Sequence, residues 1–456
     1  MIADTDEGRL RVSDKANSGE RKTRRRRKVR RPTISTTLIA LSVVICVGVV
    51  AEIAHTVITL AVGNRGYGGP QTAPMEEETE AEAAPSARRV SFCAVGDNLI
   101  NEEGDYTVDL LGLADSWDGE VGDGSYDFTP LYEKVKPTIS SYDIALVNQE
   151  TVLGGTGSFE YQGFPSYNTP DEVAPALADA GFDVVNCNTN HTFDLWTDAI
   201  EHAQATWAKQ GGVSVIGSYA SEADRSDIRV VEANGLKVAF LSYSYGQNGY
   251  TQDELPNDYY AAPIDRDKMR SEIEAAQKIA DAVVVYMHWG DENTFELNEE
   301  QRDISAFLAG MGVDLTIGSH AHVIQPVSYV ARGIPTTDGS GADASNGMLC
   351  VYGLGDFVSG YTLPKTILSG MFTCDIVAGE SGEVSIENPV WHALIEHNEG
   401  DTDAVYELSG YTEEMAQRNR LLDRVGEDGE GVADDRLSWA RETTREVVGD
   451  AIAIAM

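Results

Sequence analysis

Five short segments of this chain carry residue types able to hold metal ions: Gly96-Asp97-Asn98, Asn148-Gln149-Glu150, Asn188-Thr189-Asn190-His191 with Asp194 three residues on, His288-Trp289-Gly290-Asp291, and Gly318-Ser319-His320-Ala321-His322. Of the eight histidines, His191, His288, His320 and His322 fall in these segments, while His55, His202, His392 and His397 do not. A lone Asp or His in such a place is more often a cap than a ligand; five such places in one chain are not a coincidence of caps. The H-x-H pair at 320 and 322 adds weight, because alternate residues of a strand share one face and can reach one ion together. Two divalent ions about 3.5–4 Å apart can hold a phosphate ester and activate a water. That chemistry needs a bridging carboxylate, terminal carboxylate or imidazole ligands, and a proton donor for the leaving group. The five segments contain candidates for each. Mixed imidazole and carboxylate ligands suit Mn, Fe, Zn or Co rather than Ca or Mg.

Each segment follows a short β-rich run: Val90–Val95, Ile144–Val147, Asp183–Cys187, Ala282–Met287 and Asp314–Ile317. Strand ends are where α/β folds place ligand groups. Further strand-like runs lie at Val213–Ile216, Val238–Tyr243, Leu349–Tyr352 and Met371–Val377. Helical patterns intervene at Pro130–Ser141, Pro170–Ala180, Asp194–Gln210, Asp265–Ala280 and Asn298–Gly312. Near-continuous apolar strands flanked by helices predict an α/β layered fold with buried sheets. No repeat of solenoid period is present. Residues 90–400 read as one domain and 401–456 as a helical C-terminal extension. Trp289 reads as packing, and Tyr161, Phe164 and Tyr167 as anchors of a Gly/Pro-containing loop.

Charge divides the chain. Residues 1–31 hold 12 Lys/Arg against 5 Asp/Glu; removing that excess of seven from the total of −40 leaves −47 for the remainder. An acidic body excludes nucleic acid as a partner, because phosphate backbones are bound by clustered Lys/Arg. Ile34 to Ala51 run for 18 residues without a charge. At about 1.5 Å per residue this is roughly 27 Å, near the hydrocarbon thickness of a bilayer. Residues 1–31 therefore read as a basic cytoplasmic tail and 32–62 as a transmembrane anchor, which sends the C-terminal body outside the cytosol. A cleaved signal peptide is the rival, but its apolar core is usually shorter. Residues 63–89, rich in Gly, Pro and Glu, read as a disordered tether. Beyond Cys46, the cysteines Cys93, Cys187, Cys350 and Cys374 sit in apolar runs and read as buried thiols; as disulfides they would allow three pairings.

The ordered motifs GDNL, NQE, NTNHTFD, HWGDE, GSHAHVIQP and YGLGDF, spanning about Val90 to Phe357, resemble the CapA family, named for capsule and poly-γ-glutamate biosynthesis. FPSYNTPDEVAPALADAGFDVV and NGLKVAFLSYS resemble its supporting segments. The resemblance implies a calcineurin-like metallophosphoesterase fold, two β-sheets sandwiched between helices in four α/β/β/α layers. It further implies two divalent metal ions. Asp97 resembles the first-metal carboxylate, Glu150 the bridging ligand, Asn190, His288 and His320 second-metal ligands, and His322 a ligand returning to the first metal. His191 resembles the leaving-group acid or transition-state donor, oriented by Asp194. Four positions depart from the pattern: Gln149 stands inside an NLE-like motif, Thr189 precedes Asn190, Asp356 stands where the family has a neutral amide, and Leu99 stands where the D-x-H motif of other calcineurin-like enzymes would place histidine.

These readings predict a membrane-anchored, extracytoplasmic protein of poly-γ-glutamate or capsule biosynthesis or export, whose partners are the membrane and an anionic polymer or its synthase complex. A cell-surface phosphoesterase and a non-catalytic polymer- or synthase-binding subunit remain the alternatives. The sequence carries no signal for oligomeric state.

Overall fold

The computed structural model describes residues 88–104, 106–333, 347–423, 432 and 435–456. The basic tail, the proposed membrane segment and residues 63–87 of the proposed tether lie outside the described residues. Arg88 and Arg89, expected at the end of that tether, already belong to the first strand. Among the described residues no helix is long and apolar enough to cross a membrane.

In chain order the strands are β1 (Arg88–Asn98), β2 (Ile144–Gln149), β3 (Val184–Asn186), β4 (Ser214–Ile216), β5 (Arg229–Ala233), β6 (Leu236–Ser244), β7 (Ala282–His288), β8 (Leu315–Ser319), β9 (Val327–Ala331) and β10 (Gly347–Val351). They continue as β11 (Asp356–Val358), β12 (Leu368–Ala378), β13 (Val384–Asn398), β14 (Asp403–Glu407) and β15 (Ala453–Ala455). One sheet has the order β14-β13-β12-β1-β2-β3-β4, with β11 beside β1 and β15 beside β13; the other has the order β5-β6-β7-β8-β10-β9. Within them β1, β2, β3 and β4 run parallel, as do β6, β7, β8 and β10.

The strands are apolar on both faces because both faces are covered. Val90, Phe92 and Ala94 of β1, Ile144 and Leu146 of β2, Val238 and Phe240 of β6 and Val284 of β7 share one core between the sheets. Phe92 stacks on Phe240 across it, with centroids 6.2 Å apart. The alternate residues Cys93, Val95, Ala145 and Val147 instead meet helices Leu110–Trp117 and Val173–Ala180 on one outer face. Ala239, Leu241, Val283 and Val285 meet helices Arg266–Ala276 and Glu299–Gly310 on the other. The result is helices, sheet, sheet, helices. Asn298 starts helix Glu299–Gly310 with a capping box, accepting from the Gln301 amide while the Gln301 side chain accepts from its own N–H.

The segment expected as a helical extension, 401–456, is part of this domain. It contains helices Glu413–Arg418 and Arg436–Val448, but β14 and β15 both pair with β13. Ala416, Leu437, Ala440 and Val448 enter the inter-sheet core. A three-residue strand such as Ala453–Ala455 has no local signature; its pairing to β13 makes it one. Cys93, Cys187, Cys350 and Cys374 are free thiols.

Candidate metal centre

The inter-sheet core turns polar at one end, and the alternation of the strands shows why. Following the inward residues along each strand, Leu146 leads to Asn148, Val184 to Asn186, Phe240 to Ser242, Tyr286 to His288 and Ile317 to Ser319. Because these strands are parallel, all five polar residues arrive at the same carboxyl edge. They form a connected floor. Ser242 Oγ donates to Asn186 Oδ1 at 2.6 Å, Asn186 Nδ2 to Asn148 Oδ1 at 2.6 Å, and Asn148 Nδ2 to Asp97 Oδ1 at 2.6 Å. Ser319 Oγ lies 3.0 Å from His288 Nδ1. Asp97 itself is out of phase with Phe92 and Ala94; a register irregularity between Ala94 and Asp97 brings it opposite Asn148, and so inward.

Above this floor the structure brings together all six residues singled out as ligand candidates. Asp97, Glu150, Asn190, His288, His320 and His322 are all buried. Glu150 Oε1 is 3.7 Å from His288 Nε2 and 3.9 Å from His322 Nε2. Asn190 Oδ1 is 2.8 Å from His288 Nε2. Asp97 Oδ2 accepts the His320 backbone N–H at 3.0 Å and lies 4.0 Å from His322 Nδ1. Ligand atoms of Glu150, His320 and His322 lie within 4.8 Å of one another, as do those of Asp97, His322 and Asp356.

The H-x-H pair reaches the pocket by a different route from the one its spacing suggested. β8 ends at Ser319, and both histidines sit in the following turn with left-handed backbones, φ +91° at His320 and +56° at His322. Such conformations cost a non-glycine residue on the order of 1–3 kcal/mol and concentrate at functional sites. Two left-handed residues in one turn, rather than one strand face, aim both rings inward.

The polar atoms left over test whether cations fit. Both carboxylate oxygens of Glu150, Nδ2 of Asn190, Nδ1 of His320 and Oδ2 of Asp356 are buried without a hydrogen-bond partner. An unpaired buried carboxylate is costly, and a cation would offset the cost. With metal–ligand bonds of about 2.0–2.2 Å, adjacent ligands lie roughly 3 Å apart; the Asn190–His288 approach has that spacing. The donor set of carboxylates, one amide and imidazoles suits divalent transition ions.

Electrostatics agree. Burial holds the Glu150 carboxyl well above its usual range, and Asp97's charge adds to it. Burial likewise raises Asp97, and raises Asp356 to about 6. Burial, then charge on His320 and His322, keeps His288 well below the ordinary imidazole value; burial and His322 do the same to His320. Neutral imidazoles are the ligating form. His322 differs, because burial lowers its pKa but Asp356 and Glu150 outweigh burial and hold it well above the ordinary value.

His191 and Asp194 stand beside the pocket. His191 Nδ1 is 2.7 Å from Asp194 Oδ2, and Nε2 is 3.3 Å from Asn248 Nδ2. Tyr167 packs edge-on against the His191 ring at 4.8 Å. His322 also lines a neighbouring cavity of about 520 Å³ whose wall includes Glu102, Glu103, Glu292, Phe164 and Tyr361. Phe164 is 70% exposed at this cavity and so is not the loop anchor its setting suggested; Tyr167 is buried and is. Trp289 packs, donating to the Tyr352 carbonyl at 2.9 Å.

Sequence reasoning did not single out Asn186, Ser242, Ser319, Tyr245 or Asn248. The inward phase of each strand, carried one residue past its last apolar position, would have found the first three. Tyr245, whose ring lies 4.5 Å from His320, and Asn248 come from the loop after β6, which has no motif.

A two-sheet α/β domain whose parallel strands end in one buried pocket of carboxylates, amides and imidazoles has the framework of a divalent-cation site. The family model described as bacterial capsule synthesis protein PGA_cap matches residues 91–361, more than half of the chain, and the chain belongs to that family. Its relatives include the PGA biosynthesis protein CapA of Bacillus subtilis (strain 168), 28% identical over 232 residues, 50% of this chain and 56% of that protein. The capsule biosynthesis protein CapA of Bacillus anthracis is 26% identical over 167 residues, 36% of this chain and 40% of that protein. The matches thus span about half the length of these relatives. Among solved structures, the Haemophilus influenzae NAD nucleotidase is 10% identical, with 81% of this chain and 64% of that chain covered at a TM-score of 0.38. That likeness is too loose to carry anything about activity.

Proposed function

We propose that this protein takes part in building or exporting poly-γ-glutamate or a related capsule polymer, and that its pocket holds two divalent cations used in phosphoester-type chemistry. Membership of the capsule synthesis family supports the biological role. One observation carries the chemistry: Glu150, fully enclosed, has both oxygens unpartnered and imidazoles of His288 and His322 within 4 Å. Asp97 and Glu150 would hold one ion, and Glu150, Asn190, His288 and His320 the other, with His322 set between them. Ions bound there supply positive charge against an anionic ester and Lewis acidity toward water. The chain's own residues do the rest. The Asn148 amide fixes Asp97, the Ser319 hydroxyl fixes the His288 ring, and Asp194 holds His191 Nδ1 so that Nε2, beside Asn248, is the nitrogen that would give or take a proton. The adjoining cavity is the way in for substrate.

In this reading residues 32–62 anchor the protein, the basic tail stays in the cytoplasm, and the acidic domain works outside. The asymmetry between the first 31 residues and the remainder supports it. A non-catalytic reading has support of its own: Glu102, Glu103 and Glu292 around the cavity disfavour a bare polyanion and favour one carrying cations.

The test is to purify the full chain and measure bound Mn, Fe and Zn, then turnover of a generic phosphodiester. Metal with turnover supports the catalytic reading, and metal without turnover the binding one. A chain that takes up no divalent ion at any occupancy sinks both.

A further inference from the structure

The pocket is chemically lopsided. On one side His288, His320 and Asn190 cluster; the His288 and His320 rings have centroids 4.7 Å apart. On the other side two carboxylates stand together. β11 runs parallel beside β1, with Asp356 the direct register partner of Asp97. Parallel neighbours in register point their side chains to the same face of the sheet, so the topology places Asp356 next to Asp97 although 258 residues separate them in sequence. Glu150 and His322 lie between the two sides, with His322 Nδ1 toward the carboxylates and Nε2 toward Glu150.

Asp356 is fully buried, and only half of it is accounted for. Oδ1 is 2.9 Å from His322 Nδ1, while Oδ2 has no hydrogen-bond partner. A carboxylate kept in the interior solely to orient a histidine leaves its second oxygen needing a partner of its own. Asp97, His322 and Asp356 each present an atom within 4.8 Å of the others, a spread one cation can span.

We infer that Asp356 is a metal ligand: Oδ2 joins Asp97 in an oxygen-rich position, while Oδ1 keeps His322 turned with Nε2 toward the imidazole-rich position. The two positions then differ in kind. Carboxylate oxygens favour a hard ion such as Mn²⁺, and imidazoles favour a borderline ion such as Zn²⁺. The centre is accordingly a mixed one, and Asp356 sets which ion sits beside Asp97. This rests on the cation-holding pocket proposed above.

The experiment uses the full chain, stripped with a chelator and dialysed against Zn²⁺ and Mn²⁺ together, with metal content read by mass spectrometry and Mn²⁺ by electron paramagnetic resonance. Wild type is expected to hold both metals, and Asp356→Asn to lose Mn²⁺ while keeping Zn²⁺. Circular dichroism confirms that the variant is folded. Should Asp356→Asn not fold, Asp356→Glu, which retains a carboxylate, is expected to keep Mn²⁺, and its loss there overturns the assignment. An Asp356→Asn protein that binds both metals as wild type does overturns it too. So does one that loses Zn²⁺ and keeps Mn²⁺, since that is the signature of a residue that only orients His322. Wild type binding neither metal fails the pocket itself, a different result from wild type and variant both binding two.

Discussion

His191 Nδ1 and Asp194 Oδ2 are 2.7 Å apart, and the same Asp194 oxygen accepts the Tyr167 backbone N–H at 2.8 Å. The carboxylate is thus pinned by the backbone before it meets the histidine, which leaves Nε2, in contact with Asn248 Nδ2 at 3.3 Å, as the ring nitrogen turned away from Asp194. If the protein turns over a phosphodiester, His191→Ala is expected to lower kcat about 10²–10⁴-fold, the usual worth of a general acid, with metal content unchanged. Asp194→Asn is expected to cost on the order of 10²-fold through misplacement. Loss of metal in His191→Ala would instead mark it as a ligand.

Glu150 predicts an unusual pH dependence for the ion-free protein. Burial, helped by Asp97, raises its pKa well above the ordinary range, so the folded state keeps a proton that the unfolded chain releases near pH 4.3. That contribution to stability is full below the unfolded value and is lost as pH rises through the folded one. His322 acts in the same direction: burial pulls its pKa down, but Asp356 and Glu150 outweigh burial and hold it well above the ordinary value. His288 and His320, depressed first by burial, act oppositely and only as pH falls through about 6.5. Above about pH 6.5, therefore, Tm in chelator is expected to fall as pH rises, and Glu150→Gln to flatten the slope. A Tm that climbs over that range contradicts the assignment.

The Ser242–Asn186–Asn148–Asp97 relay predicts a structural cost separable from metal. Asn148→Ala removes the 2.6 Å donor to Asp97 Oδ1 and leaves Asn186 Nδ2 only its longer 3.3 Å bond to the Asn188 carbonyl. Urea unfolding in chelator is expected to show a loss of about 1–3 kcal/mol, together with weaker metal uptake. Unchanged stability would mean that the relay closes around the gap.

Gly96 and Gly355 predict a steric one. The Asp97 amide donates to the Gly355 carbonyl at 3.1 Å, and a Cβ on Gly96 would collide with that same oxygen. Gly96→Ala is expected to cost at least about 1–3 kcal/mol by overpacking. Gly211→Ala, with open space around it, is expected to be near neutral. Equal melting temperatures for the two variants would rule the contact out.

A reporter fused after Met456 is expected to be active only outside the cytosol, and replacing the arginines of residues 21–31 with neutral residues is expected to weaken that orientation. Cytoplasmic activity of the reporter rejects the anchor as drawn.

Much of the centre was legible without coordinates, for a specific reason. Asp97, Glu150, Asn190, His288, His320 and His322 are polar residues closing apolar runs, and in a parallel sheet every such closure lies on one edge. What the residues do locally was therefore readable: strand, stop, ligand type. Where local rules misled, a nonlocal contact had intervened. Asp97 turns inward because of a bulge against β2; His320 and His322 converge through two left-handed backbones; Ala453–Ala455 is a strand because β13 offers an edge.

The chain by itself determined the kinds of side chain available, their order, the split between a basic head and an acidic body, and membership in a family of capsule proteins. Only the tertiary structure decided which of those side chains meet. Asp356 is the clearest case: its neighbours in sequence say nothing of Asp97, and pairing of β11 with β1 sets the two side by side. Strand order and register are settled by the burial of whole sheet faces, a property of the assembled core and not of any window of residues.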